Sequence, residues 1–111
     1  MSTGQAEMMR PLLLVTGATG YIGGRLARAL HERGARLRCM VRRPDEVRAR
    51  AEPNIEVVYG DVNDPASLAS ALEGVQTAFY LIHAMGAGGD FAKAESAGAR
   101  KFACAAMAAG V

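Results

Sequence analysis

The sequence predicts an α/β protein built on a doubly wound parallel sheet, incomplete, with about four strands in the order 3-2-1-4. Three observations predict it. Short apolar runs alternate with amphipathic helical stretches, the pattern of parallel strands joined by right-handed crossovers. The first run, Leu12-Leu13-Leu14-Val15, is apolar without interruption, as strands covered by helices on both faces are. A turn with glycines at positions 17, 20 and 23 joins that run to the first helix.

Each element has its own signal. Residues 1–10 show no period and read as a loose tail. After the first strand, a helix over roughly 21–33 places Ile22, Leu26, Ala29 and Leu30 on one face, and Gly34 is placed to end it. Leu37 to Val41 is the second strand. Pro44-Asp45 opens a short charged helix to about Ala51, Pro53-Asn54 makes a turn, and Ile55 to Tyr59 is the third strand. Asp64-Pro65 starts the next helix, with Asp as N-cap and Pro in the first turn. Leu68, Ala71 and Leu72 form its apolar face and Gly74 ends it. Thr77 to Ile82 is the fourth strand, and Met85 to Gly89 is a glycine-rich loop. Asp90 caps a final helix whose inner face is Phe91, Ala94, Gly98, Phe102, Ala105 and Ala109.

Composition narrows the function. The chain has 111 residues, one domain's worth, of which 50% are hydrophobic and 22% charged, so a packed core is expected. Thirteen basic and 11 acidic side chains give a net charge of +2, too balanced for a nucleic-acid footprint. All the bases except Lys93 and Lys101 are arginine, the residue suited to bidentate recognition of phosphate or carboxylate. Cys39 and Cys104 stand far apart, so they form neither a disulfide framework nor a zinc pair. The leading apolar run is too short for a signal-peptide core or a membrane span. A cytoplasmic protein is expected.

The glycine turn, Thr16-Gly17-Ala18-Thr19-Gly20-Tyr21-Ile22-Gly23, carries the chemistry. Unpaired N–H groups and the helix dipole make a helix N-terminus a site for the pyrophosphate of a dinucleotide. Gly17 suits the tight turn, Gly20 the close approach of backbone to phosphate, and Gly23 the packing of helix on strand. Strand before, helix after and a second strand at the right distance are the context that such a motif requires. Residues 11–111 therefore read as a nicotinamide-dinucleotide-binding domain of Rossmann type.

These residues resemble the extended and atypical short-chain dehydrogenase/reductases. The likeness is strongest to the atypical NAD(P)-binding branch with nitrogen-metabolite-repressor-like proteins and relatives of a respiratory complex I accessory subunit. Cys39-Met40-Val41-Arg42-Arg43, Gly60-Asp61-Val62 and Tyr80-Leu81-Ile82-His83 support the resemblance. It implies that Asp61 accepts from the adenine amino group and that Val62 packs on the ring. It also implies that Leu81, Ile82 and His83 leave the fourth strand toward the ribose and nicotinamide. Within the turn, Thr19, Tyr21 and Ile22 join the three glycines as cofactor contacts.

The tip of the second strand separates NADP from NAD. An acid there binds the ribose 2′-hydroxyl of NAD and repels the 2′-phosphate of NADP. This chain has Arg42 and Arg43, with Asp45 only after Pro44, so NADP is expected, with NAD as the alternative. Arg42 is the main contact, supported by Arg25 or Arg43. His83 lacks a carboxylate partner at a motif spacing and reads as a loop histidine lining the cleft by its backbone. His31 reads as surface and Cys39 as core. No metal ligand is assigned.

The resemblance also implies a Tyr-x-x-x-Lys pair for catalysis, and the chain has none. Arg25 follows Tyr21 by four, Asn63 follows Tyr59, and Ala84 follows Tyr80. No catalytic residue is assigned. The sequence stops where a fifth strand is expected, so it reads as a truncated N-terminal part whose fourth-strand edge is open to self-association. Two functions follow: part of an NADP-dependent oxidoreductase or epimerase, or a non-catalytic regulatory or structural module that binds the dinucleotide.

Overall fold

The computed structural model describes residues 10–17, 21–48, 55–81 and 89–111. The elements run β1 (Leu12–Thr16), α1 (Tyr21–Glu32), β2 (Arg36–Val41), α2 (Pro44–Arg48), β3 (Glu56–Tyr59), α3 (Pro65–Leu72), β4 (Val75–Phe79) and α4 (Gly89–Ala109). The strands form one four-stranded sheet in the order β3-β2-β1-β4, and every pairing is parallel. The predicted fold class and strand order are the ones observed.

Alternation along the strands splits the core between the two faces. Leu12 and Leu14 pack with Met40, Leu68, Ala71, Leu72, Val75 and Phe102 on the α3/α4 side. Val15, Leu37, Cys39, Val41 and Val57 are buried too, and their alternate positions put them toward α1. That helix turns Gly23 and Ala27 inward with Leu26 and Leu30 half-buried, while Ala29 is exposed. The inner face is therefore centred one position away from the predicted one.

Helix ends follow from local chemistry. Gly34, at φ +78°, closes α1: Ala35 N donates to Leu30 O at 3.0 Å and Gly34 N to His31 O at 3.0 Å. These are the two bonds of a Schellman cap, which needs a left-handed residue at that point. The Asp64 carboxylate accepts from Ser67 N at the start of α3, and Pro65 occupies the first turn, as expected.

Two boundaries and one helix face depart from the sequence reading. β4 is Val75–Phe79 rather than 77–82, because α3 ends at Gly74 (φ +76°) and the strand starts at once. Its register runs Leu12↔Val75 then Leu13↔Thr77, so Gln76 is a bulge residue, which breaks the alternation that would have revealed the strand. Asp90 lies inside the first turn of α4 rather than before it, where an acid still suits the positive end of the dipole. Along α4, Gly98 and Phe102 are buried and Ala105 half-buried, but Ala109 is exposed and Met107 is 81% exposed. The helix runs past the sheet at its end.

Gly98 lets α4 approach closely, since a Cβ there would sit 3.1 Å from the Tyr80 hydroxyl. The Tyr80 and Phe102 rings lie 4.9 Å apart in a tilted pair. The short helix at Pro44 stops at Arg48 within the described residues; the predicted turn at Pro53-Asn54 and most of the loop at 85–89 lie outside them. Arg10, assigned to the tail, donates from Nη1 to Gly34 O at 2.9 Å. No helix among the described residues is long and apolar enough to cross a membrane.

The two cysteines make a direct check on this packing. Cys39 is buried, and burial pushes its thiol up from the ordinary range, whereas Cys104 is exposed. At pH 8, a maleimide should label Cys104 in the native chain and Cys39 only once urea unfolds it. Equal native rates at the two positions would contradict the burial of β2.

Candidate functional site

All four strands point the same way, so their C-terminal ends share one edge of the sheet. In open sheets of this kind, ligands bind at that edge, where the chain switches direction across the sheet. The switch lies between β1 and β4.

β1 ends on Thr16, which is fully buried. Its Oγ1 donates to Phe79 O at 3.0 Å and accepts from Leu81 N at 2.9 Å. The backbone ladder between β1 and β4 stops at Val15↔Phe79. In a parallel ladder, the next rung would use one N–H and one C=O from a single residue of β1. The Thr16 hydroxyl supplies that donor and acceptor instead, which frees the backbone to turn. Gly17 makes the turn at φ +71°, a conformation that costs an L side chain about 1–2 kcal/mol.

α1 begins at Tyr21, and Gly23 is buried in its first turn. The positive end of its dipole, where the first N–H groups lack partners within the helix, therefore sits at the C-terminal edge of the sheet. Thr19 and Gly20 lie outside the described residues, as do the side chains of Tyr21 and Ile22.

The third corner is Gly60-Asp61-Val62. Gly60 N donates to Val41 O at 3.0 Å, which extends the β2–β3 ladder. A Cβ on Gly60 would collide with the buried Met40 side chain. Asp61 Oδ1 accepts from Asn63 N at 2.9 Å, an Asx turn that holds the carboxylate while its other oxygen has no partner among the described residues. Ser67 organises the same loop: its Oγ accepts from Asp61 N at 3.0 Å and donates to Asp64 O at 2.7 Å. Val62 is half-buried, and its Cγ2 would lie 3.5 Å from a Cβ at Gly98. Leu81 is half-buried beside Thr16; Ile82 and His83 lie outside the described residues.

Beyond β2, Arg42 is exposed. Arg43 faces Glu46 at 3.6 Å and Arg48 faces Asp45 at 3.2 Å. Arg42 alone among these charges has no protein partner in the described residues. Arg25 is exposed on α1 and has a contact of its own. The arrangement offers backbone donors at one point, an anchored carboxylate at another and an unengaged guanidinium at a third.

Sequence reasoning places Thr16 at the start of the glycine turn but gives its hydroxyl no role, and it misses Ser67. A Thr directly before the turn glycine, closing an apolar strand, is the available signal for the first. The second has none, because its partners are backbone groups of a loop whose path residue spacing does not reveal.

A parallel sheet of this order, with a glycine turn at its switch point, defines a Rossmann-type nucleotide-binding architecture. The NmrA-like family matches residues 9–111; the chain belongs to that family. It is 45% identical over 67 residues to "Sterol demethylase protein B" of Methylococcus capsulatus, covering 60% of this chain and 20% of that protein. It is 38% identical over 104 residues to "Ceramide reductase" of Caulobacter vibrioides, covering 91% of this chain and 32% of that protein. Among solved structures, it resembles the Escherichia coli NADPH-dependent quinone oxidoreductase complexed with NADPH. The identity is 30% and the TM-score 0.71, over 90% of this chain and 34% of that one. An Agrobacterium tumefaciens short-chain dehydrogenase/reductase superfamily protein with bound NAD has 30% identity and TM-score 0.71, over 90% and 30%. The chain thus spans about a fifth to a third of the length of the curated relatives it matches.

The hydroxyl bridge is open to test. Thr16→Val keeps the shape and removes the bridge, leaving Leu81 N and Phe79 O unpaired. Leaving buried polar groups unsatisfied costs about 1–3 kcal/mol, so urea unfolding should show a loss of that size, and Thr16→Ser should recover most of it. A Val variant as stable as the parent would show that the bridge does not hold the two strands.

Proposed function

We propose that this chain binds a nicotinamide dinucleotide at the C-terminal edge of its sheet, with NADP preferred over NAD. The single observation that carries the reading is the left-handed turn at Gly17, which leads β1 into the N-terminus of α1 at the switch point. A left-handed glycine ahead of the positive end of a helix supports a pyrophosphate there. Gly17, Thr19, Gly20, Tyr21, Ile22 and Gly23 hold the phosphates. Asp61 and Val62 take the adenine; Leu81, Ile82 and His83 line the ribose and nicotinamide. When bound, the cofactor supplies a transferable hydride. The residues of this chain bind and orient it and assign no proton to any acid or base.

NADP is favoured because Arg42 has no partner among the described residues while its neighbours pair with acids. Of the two solved relatives named above, one holds NADPH and the other NAD. A charge-assisted hydrogen bond is worth about 1.5–3 kcal/mol, so the preference should be roughly 10- to 150-fold.

The larger protein is read as a cytoplasmic oxidoreductase, by its likeness to reductases. A second reading, a non-catalytic dinucleotide-binding module, is favoured by one observation: no tyrosine here is followed four residues later by lysine. Self-association is also proposed. Gly60 N faces β2, so the backbone N–H and C=O groups of Val57 and Tyr59 point to the outer edge of β3, and Arg48 Nη2 covers the Val57 carbonyl at 3.0 Å. β4 pairs with β1 alone, and exposed Gln76 and Thr77 lie along it without such a cover. An unprotected edge recruits another strand.

Three measurements follow. Gly20→Val should abolish NADPH binding by calorimetry with an unchanged circular dichroism spectrum; undiminished binding would remove the assignment. Arg42→Ala should shrink the NADPH-to-NADH ratio mainly by weakening NADPH, and equal affinities in the parent would contradict the NADP reading. The chain alone should not oxidise NADPH with aldehydes or ketones and should elute above monomer size. Robust turnover by a monomer would point to misplaced catalytic residues, with His83 the first to mutate.

A further inference from the structure

The arginines divide by partner. Arg38, Arg43 and Arg48 each face a carboxylate, at 3.0, 3.6 and 3.2 Å. Arg10, Arg33 and Arg36 face none among the described residues, and they gather at the other end of the sheet. There, two open cavities of about 360 and 440 Å³ adjoin across Arg10, Gly34, Ala35 and Arg36. Arg33 lines the first, and His31 and Glu56 line the second. The Glu56 carboxylate is already engaged by Arg38 Nε at 3.0 Å, so it does not offset the three arginines.

The floor of this surface is small. Gly34 has no side chain, and a Cβ there would meet only Arg10 Nη1, at 3.6 Å. Arg10 donates one N–H to Gly34 O, which fixes its guanidinium over the turn and answers the negative end of the α1 dipole. Arg33 and Arg36 are exposed and make no such contact. Unneutralised guanidiniums around a concavity concentrate anions, and their planar forks match phosphate oxygens in pairs.

We propose that the Arg10–Arg33–Arg36 surface binds a small molecule carrying two or more phosphate groups. The net charge of +2 and the confinement of these arginines to one concavity favour a compact anion over a nucleic acid. β1 separates this surface from the glycine turn: its five residues span about 16 Å at ~3.3 Å each. An anion here and a dinucleotide at the other edge can therefore be bound together.

The test is calorimetry with inorganic tripolyphosphate on the full chain already saturated with NADPH, so that the glycine-turn edge is filled, at ionic strength held constant with sodium chloride. One saturable site is expected. Arg33→Gln with Arg36→Gln should weaken it about tenfold or more, each single change giving part of the loss. Both residues are exposed, and circular dichroism checks that the fold is kept. Arg28→Gln, an exposed change on α1 that lines neither cavity, should leave tripolyphosphate binding unchanged. The proposal is overturned by absence of saturable binding at matched ionic strength, or by unchanged binding in the double variant. Binding seen without NADPH but lost once NADPH saturates the chain would place the anion at the glycine-turn edge and equally overturn it.

Discussion

One hydroxyl decides where the β1–β4 ladder ends and the chain turns away from the sheet. At Thr16 the chain must leave β1, turn through Gly17 and enter α1, yet Phe79 O and Leu81 N still require partners. A backbone cannot both continue the ladder and turn away from it. The buried Thr16 side chain resolves the conflict by bonding both groups. The exit of β4 is thereby tied to the entry of the glycine turn, which brings the two sides of the switch point together.

The remaining corners are held by similar means. Around Asp61, one buried serine hydroxyl joins the loop after β3 to the start of α3. Under the opposite end of α3, Arg38 donates to Ala71 O at 2.8 Å and Glu73 O at 2.7 Å while pairing with Glu56. Its side chain is 13% exposed, and it satisfies carbonyls that a helix C-terminus leaves open. The two ends of the parallel sheet therefore differ in character. The C-terminal edge offers backbone donors and a lone Arg42, while the N-terminal edge offers a group of arginines around a turn.

Much of this architecture is legible in the amino-acid sequence. The uninterrupted run at Leu12, the caps at Gly34 and Asp64 and the glycine spacing each report a local physical need, and the strand order follows from right-handed crossovers. What escapes a reading of the sequence depends on long-range pairing. The start of β4 is hidden because Gln76 bulges out of register, a fact set by β1 rather than by the residues around it. The inner face of α1 is shifted because Gly23 and Ala27, small residues, let the helix sit close to the sheet. Thr16 and Arg38 act on backbone groups distant in sequence, and Ser67 on a nearby loop whose path spacing does not reveal, so spacing alone gives no sign of them. At the site, the glycines and Arg42 are readable by position. The Asx turn that fixes Asp61 needs the path of the loop.

The nucleotide edge lies, on this reading, at the C-terminal ends of the strands, organised around Thr16 and Gly17. Amide chemical shifts followed during addition of NADPH to the ¹⁵N-labelled chain test this most directly. Saturable shifts are expected at Gly17, Gly23, Arg42, Asp61, Val62 and Leu81, with Ala35, Arg36 and Val75 at the opposite ends of the strands unmoved. Shifts centred on Ala35 and Arg36, with Gly17 and Leu81 unmoved, would contradict it.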